Sequence, residues 1–239
     1  MNNFKVLAII AARGGSKSIP DKNILPLGDK PLLAHMIAAA HQASSISRVI
    51  LSTDSEKIAD VGREYGVEVP FMRPSDIAQD LSTLMVVNQH AVRYFEEQGE
   101  TFDAIMSLQP TAPYLKSSTI DRAVDLLKTE KCDSVTSIAQ LTQCHPHIMK
   151  NFGPDGLISN YFELPEGTVA SNRQERKPVY YLTGSFYLRP TALLMAHEGA
   201  GHALGNDSRA CLLDEIEAVD INSPLDFTIA EALWQRGLV

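Results

Sequence analysis

Short apolar runs alternate with longer segments of helical period along most of the chain. Residues 5–12 form the first run, and its unbroken apolar character is typical of a parallel strand buried on both faces. After a glycine-rich turn, one face of a helix is marked by Leu32, Leu33, Met36, Ile37 and Ala40. The pattern therefore opens with a strand followed by a helix.

The same alternation continues to residue 138. Further strands are predicted at residues 48–52, 67–71, 104–108 and 134–138. Helices are predicted at residues 55–65, 84–98 and 118–127. Ser118 with Asp121 has the spacing of a capping box, which predicts the start of the third of these helices. This order predicts an α/β fold: an open, mostly parallel twisted sheet with helices on both faces.

The regular pattern breaks between residues 140 and 178. This stretch contains four prolines and the polar run SNRQERK, and it lacks helical periodicity. A long irregular segment inside a compact domain is usually functional or takes part in assembly. Regular structure is predicted again at residues 180–188 and 218–221, and Ser223 and Pro224 open a last helix as N-cap and first helical residue. We interpret residues 1–239 as one domain with an insertion at 140–178.

Charge and cysteine content narrow the class of protein. The 239 residues carry a formal net charge of −8, which disfavours binding to nucleic acid and to anionic lipid. The apolar run 6–12 is too short to span a membrane. Three scattered cysteines without metal-site spacing are typical of reduced thiols, and with no signal peptide in the pattern we predict a cytoplasmic protein.

The loop after the first strand carries the strongest chemical signal. It reads ARGGSKSIPDKN, in which Gly14 and Gly15 can leave backbone N–H groups free to bind an anion. The loop also carries the hydroxyl of Ser16 and three cations, Arg13, Lys17 and Lys22. Neither GxxxxGK[ST] nor GxGxxG is present, so the loop indicates neither a P-loop NTPase nor a dinucleotide enzyme. An ordinary strand-to-helix turn with solvated lysines is the alternative.

The motifs together resemble the acylneuraminate cytidylyltransferases, also called CMP-sialic acid synthetases. The similarity covers essentially the whole chain, and its motifs come in the family's order. After the loop they are KPLLAHMI, LSTDSEKIA, VPFMRPSDIAQD, SLQPTAPYLK, YLTGSFYL and VDINSPLDFTIAE. The resemblance implies a nucleotidyltransferase that transfers CMP from CTP to a nonulosonic acid, such as N-acetylneuraminic or legionaminic acid, and releases pyrophosphate.

The resemblance also implies roles for individual residues. The nucleotide-binding set, which holds the phosphates, ribose and cytosine, is Arg13, Gly14, Gly15, Ser16, Lys22, Asn23, Arg73 and Ser82. The sugar-binding set is Gln109, Arg173, Thr183 and Tyr187. Arg13, Lys22 and Asp220 are the expected catalytic residues. Many family members have asparagine where this chain has Thr183, so the identity of the acid stays open.

The metal-binding motif departs from the family's pattern. The family usually has two aspartates in the form DxD, whereas this chain has Asp220 and Asn222 on either side of Ile221. Alternation on a strand would place both side chains on one face. The resemblance implies Mg²⁺ as cofactor, and an amide oxygen can serve as a ligand without adding negative charge.

The irregular segment 140–178 is similar to the family's dimerisation arm, which implies a homodimer with Arg173 near a sugar pocket. Three alternatives stay open at this point. One is the same chemistry on another 3-deoxy sugar acid, as in CMP-Kdo synthetase. The others are a glycosyltransferase that uses residues 220–222 as a variant DxD motif, and a non-catalytic sugar-nucleotide binding protein.

Overall fold

A computed structural model describes residues 4–79, 83–163, 176–199 and 201–239. These ranges contain six α-helices. Their bounds are α1 Leu32–Gln42, α2 Glu56–Glu64, α3 Leu84–Glu96, α4 Ser117–Glu130, α5 Thr191–Ala196 and α6 Pro224–Gln235. In these ranges no helix has both the length and the apolar character that crossing a membrane requires; α4, with 14 residues, is the longest.

The strands form one central sheet and two short hairpins. The central sheet contains β1 Val6–Ala11, β4 Arg48–Ser52, β5 Ala104–Leu108, β6 Ser134–Gln140, β9 Tyr180–Pro190 and β10 Ser208–Leu212. The hairpins pair β2 Pro26–Leu27 with β3 Lys30–Pro31, and β7 Lys150–Phe152 with β8 Ile158–Asn160. The central order is β10-β6-β9-β5-β1-β4, in which β9 runs antiparallel to both neighbours and the other pairs are parallel. This confirms the predicted α/β fold.

The first strand divides the core into two layers. Val6, Ala8 and Ile10 pack into a cluster with residues of α1 and α4, while Leu7 and Ile9 pack against residues of α3 and α5. All five side chains are fully buried. Continuous burial on both faces explains why the sequence shows an unbroken apolar run there.

Two predicted strands are wrong. Residues 67–71 make only one isolated bridge, Glu68 with Ile50, and Met72 makes another with Thr53, because a proline and the following bend interrupt the ladder. Residue 218 ends a turn and residues 219–221 are irregular, with Val219 N donating to Ile216 O and Ile221 N to Thr111 O. The strand β10 was not predicted, since most of its side chains are exposed at the sheet edge.

The predicted capping box of α4 is also wrong. The helix begins at Ser117, and the carboxylate of Asp121 accepts hydrogen bonds from Ser44 and Ser45 instead. Glu217, which is distant in the sequence, caps the helix instead: its carboxylate accepts a hydrogen bond from the backbone N of Lys116 at 3.0 Å. By contrast, Ser223 and Asp226 form a complete capping box at α6, with Pro224 in the first turn.

Candidate active site

A cleft of about 470 Å³ opens at the carboxyl ends of β1 and β5. Ligands of open α/β sheets bind at this edge. Seven residues predicted from the sequence line it: Arg13, Ser16, Lys22, Asn23, Arg73, Gln109 and Asn222. Residues from both ends of the chain therefore meet in one cleft.

The glycine loop is held partly by bonds within the protein. Gly14 N donates to Asp54 Oδ1 at 2.9 Å, and Ser16 N donates to Gly14 O at 3.1 Å. A Cβ on Gly14 would lie 3.0 Å from Cβ of Ser55, whereas one on Gly15 would meet no heavy atom within 4 Å. Gly14 thus permits a close approach of two loops, and its N–H is engaged with Asp54 rather than free.

Asp54 connects the glycine loop with Arg73. It lies directly before Ser55, the N-cap of α2, and its carboxylate accepts from Gly14 N. It is also close enough to Arg73 to oppose the loss of the guanidinium proton. No sequence pattern predicts this pairing, because it joins two loops 40 residues apart.

Lys22 joins the glycine loop to the distant segment 220–222. Its side chain is buried, and Nζ donates to the backbone O of Ile221 at 2.7 Å. Burial lowers the pKa of Lys22, while the nearby carboxylates of Asp220 and Asp226 act in the opposite direction. This contact fixes the segment 220–222 against the loop, although Lys22 and Ile221 are 199 residues apart in the sequence.

Asp220 and Asn222 lie side by side on that irregular segment. Asn222 Nδ2 donates to Asp220 Oδ2 at 2.5 Å, so the two side chains meet although they are not on a strand. The carboxylate of Asp226 accepts from the backbone N of Asn222 at 3.0 Å and of Ser223 at 2.7 Å. The start of α6 therefore sets the orientation of Asn222.

Arg73 lies deep in the wall of the cleft. Its Nε donates to Ser52 Oγ at 3.1 Å, and a second guanidinium nitrogen contacts Ser52 O. Burial lowers the pKa of Arg73 to about 10, with Asp54 opposing the shift. The group stays protonated at neutral pH and faces the cleft as a fixed cation.

Two expected sugar residues, Thr183 and Tyr187, are buried on β9, the strand that pairs with β5 beside Gln109. Thr183 Oγ1 is buried and bonds to Ser137 Oγ at 2.7 Å and Ser185 Oγ at 3.0 Å. Tyr187 is also buried; desolvation raises its pKa, Arg189 lowers it and Asp220 raises it further. Neither is among the residues that line the described part of the cleft. Ser82 and Arg173 lie outside the described residues.

Oxygen donors for a hard cation are few at this site. Within the described ranges, no cluster of three or more His, Cys, Asp or Glu side chains could hold a metal ion. Asp220 and Asn222 offer one carboxylate and one amide oxygen. Mg²⁺ commonly binds proteins through one or two such oxygens and completes its shell with water and substrate phosphates. The pair fits Mg²⁺ on those terms.

A family model described as cytidylyltransferase matches residues 7–152. A CMP-N,N'-diacetyllegionaminic acid synthase from Legionella pneumophila is 32% identical over 233 residues, covering 97% of both chains. An N-acylneuraminate cytidylyltransferase from Escherichia coli is 30% identical over 97% of this chain and 52% of its own length.

Solved structures agree on the fold. A CMP:2-keto-3-deoxy-manno-octonic acid synthetase complexed with CTP aligns with a TM-score of 0.70 at 15% identity, covering 98% of this chain and 99% of that one. A 4-diphosphocytidyl-2C-methyl-D-erythritol synthase from Anaerococcus prevotii gives 0.67 at 13% identity, covering 98% of each chain. At these identities the similarity concerns the fold alone.

Proposed function

Because this chain belongs to the cytidylyltransferase family, we propose that it transfers CMP from CTP to the anomeric hydroxyl of a nonulosonic acid. The single observation that supports this most is the shared cleft, which brings the cationic loop of Arg13 and Lys22 together with Gln109 and Asn222. The relative from Legionella pneumophila favours a legionaminic acid over N-acetylneuraminic acid as the acceptor.

In the proposed reaction the anomeric oxygen attacks the α-phosphorus of CTP. A new P–O bond to the sugar forms as the bond between the α-phosphorus and the bridging oxygen breaks, and pyrophosphate leaves. The hydroxyl proton passes to water. Such transfer depends mainly on positioning and on stabilising charge.

Arg13, Ser16 and Lys22 are the proposed phosphate ligands. Lys22 is suited to this because its ammonium is buried at the cleft and already fixed by Ile221 O, so little reorganisation is needed as charge develops. Gly15 supports close approach of phosphate, since even a Cβ there would meet no heavy atom within 4 Å. Gly14 contributes by its tight contact with Ser55.

Asp220 and Asn222 are the residues that would hold Mg²⁺. Bound Mg²⁺ supplies positive charge that neutralises the phosphates of CTP. Asp226 supports this pair, because its carboxylate accepts a hydrogen bond from the backbone N of Asn222 and holds that residue in place. Lys22 lies close to Asp220, and its ammonium adds a second positive charge at the same end of the cleft.

The base and the sugar are proposed to occupy opposite sides of the phosphates. Arg73, Asn23 and the segment at Ser82 form the cytidine side, where Arg73 is a rigid cation and Asn23 is held by Arg13 O at 3.1 Å. Gln109 lines the proposed sugar side, Thr183 and Tyr187 support it from the buried layer of β9, and the resemblance assigns Arg173 to the same role. Gln109 offers both donors and an acceptor to sugar hydroxyl and acyl groups.

We also propose that the protein is a homodimer. The hairpin of β7 and β8 exposes large apolar side chains, with Phe152 80% exposed and Leu157 70% exposed. Contiguous exposed apolar surface of this kind usually marks an interaction site. The hairpin belongs to the 140–178 insertion, which the resemblance relates to a dimerisation arm.

A reducing compartment suits the three thiols of this chain. Cys132, Cys144 and Cys211 are all free, and two of them are buried. Free thiols of this kind are typical of cytoplasmic proteins. We therefore propose the cytoplasm as the location of the reaction.

The experiment that tests the proposed function is a matrix of the four nucleoside triphosphates against several sugar acids, with pyrophosphate as readout. We expect pyrophosphate only with CTP and a nonulosonic acid, in the presence of Mg²⁺. Preference for a shorter 3-deoxy acid would support a CMP-Kdo synthetase instead. CTP binding by calorimetry without pyrophosphate would support a non-catalytic binding protein.

A further inference from the structure

Arg189 is a cation buried without a carboxylate partner among the described residues. Its side chain is 1% exposed; Nη1 donates to His202 O at 2.6 Å and Nη2 to Ser107 Oγ at 2.7 Å. Burial lowers its pKa to about 10, so the guanidinium remains charged at neutral pH. Burying a charge without an oppositely charged partner is costly, and a gain in stability alone does not explain why it is there.

The network around Arg189 is also incompletely satisfied. Ser107 Oγ accepts from Asn88 Nδ2 as well as from Arg189. Nε of Arg189 and Oδ1 of Asn88 are buried with no hydrogen-bond partner in the described part of the chain. Because apolar side chains would fill this layer at lower cost, the polar network indicates a functional constraint.

Arg189 contacts the ring of Tyr187, which stacks face to face on the ring of the exposed His202. Its guanidinium carbon lies 5.8 Å from the ring centroid of Tyr187, and the ring of Tyr187 stacks on His202 at 4.4 Å with a 7° interplanar angle. The bond to His202 O fixes the second ring through its backbone. One cation thus determines the placement of both rings.

The same network reaches the cleft through β5. Ser107 pairs with Tyr187 across β5 and β9, and it lies two residues before Gln109, which lines the cleft. Gln109 N donates to Ser185 O on β9 at 3.1 Å. Tyr187 is also close enough to Asp220 for that carboxylate to raise its pKa. Tyr187 therefore lies on the strand next to Gln109 and within electrostatic range of Asp220, with His202 stacked on its ring.

We propose that Arg189 is a positioning residue for the sugar acid: it holds Tyr187 and His202 as an aromatic wall beside Gln109. The wall would receive an apolar part of the acid, such as a C–H face or an acyl methyl group. This inference rests on the proposed function, because the wall needs a sugar acid in that half of the cleft.

The test compares Arg189→Gln and Arg189→Lys in the full chain, with kcat and separate KM values for CTP and the sugar acid. We expect Arg189→Gln to raise KM for the sugar acid about tenfold and KM for CTP less than about twofold. Arg189→Lys keeps the charge and should recover part of the loss. A sugar KM that does not change would overturn the inference.

Arg48→Gln is the matched control. Arg48 also stacks on a ring, 4.5 Å from the centroid of Phe95, and pairs with Glu68, but it lies at the amino end of β4. We expect it to lower the melting temperature and leave both KM values unchanged. If Arg48→Gln and Arg189→Gln shift both KM values alike, Arg189 has only a structural role.

His202→Ala keeps the test decisive if Arg189→Gln does not fold. It removes one ring of the wall and leaves the buried network intact, and we expect it to raise KM for the sugar acid but not for CTP. Unchanged sugar KM would contradict the inference alone, while the wild type still releases pyrophosphate. A wild type that releases none with any sugar acid would overturn the proposed function as well.

Discussion

Lys22 connects two parts of the cleft that the sequence places 199 residues apart. The Gly-rich loop and its cations were recognisable from the sequence, because glycine and lysine next to a buried strand favour anion binding. The contact between Lys22 and Ile221 O was not, since it depends on the packing of α6 against the loop. The residue types thus predict an anion-binding loop, whereas tertiary contacts determine how its side chains are placed relative to residues 220–222.

Lys22→Met should lower kcat by about 10²- to 10³-fold, because it removes a fixed donor to the developing charge. Steady-state pyrophosphate release measures this directly. Lys57→Met is the matched control: Lys57 also neighbours the loop, pairing with Asp21 at 2.7 Å, but its side chain is 67% exposed. Equal activity of the two variants would exclude Lys22 from the reaction.

Asn222→Asp should lower the Mg²⁺ concentration needed for half-maximal rate, because it adds a second carboxylate beside Asp220. Asp220→Asn should raise it. A magnesium titration of initial rates compares the two, with Asp214→Asn as control, since Asp214 lies in the preceding segment and pairs with Lys116. If neither change at 220 or 222 alters the magnesium dependence, this pair is not the metal site.

At the level of elements, the predictable helices are those with a clear apolar face or a local cap. The face of α1 and the Ser223 cap of α6 were both confirmed. The cap of α4 was not predictable, since Glu217 supplies it from 101 residues away. The segment 218–221, predicted as a strand, is irregular because its backbone bonds to Ile216 and Thr111 rather than to a neighbouring strand.

Ser223→Ala should destabilise the protein by about 1 kcal/mol, since it removes the side chain that accepts from Asp226 N. It should also raise the magnesium requirement, because the same cap orients Asn222. Urea unfolding and a magnesium titration measure the two effects. Thr228→Ala in the exposed middle of α6 is the control, and a similar loss there would show that the cap has no special role.

At the level of the whole molecule, the sequence predicted the sheet but not its one antiparallel member. β9 runs antiparallel to β5 and β6 because the chain returns from the 140–178 insertion to the end of the sheet where β6 leaves it, with Tyr180 opposite Gln140. The apolar pattern of β9 contains no signal for the direction in which the strand runs. Alternating burial cannot distinguish parallel from antiparallel pairing when both faces are covered.

Phe152→Ser should shift the protein from dimer towards monomer, because Phe152 is 80% exposed on the β7–β8 hairpin and exposed aromatic surface favours association. Light scattering across a concentration series measures the change. Tyr65→Ser is the control, since Tyr65 is exposed directly after α2, outside the insertion. A wild type that is monomeric at micromolar concentration and fully active would contradict the proposed dimer.

The most direct measurement follows the phosphorus of CTP through one turnover with a nonulosonic acid. With CTP labelled at the α-phosphorus, we predict that the label appears in the sugar product; with the γ-phosphorus labelled, it should appear in pyrophosphate. Both transfers should require the acid and disappear in Lys22→Met. Release of the α-label as free CMP without any labelled sugar product would contradict the proposed transfer.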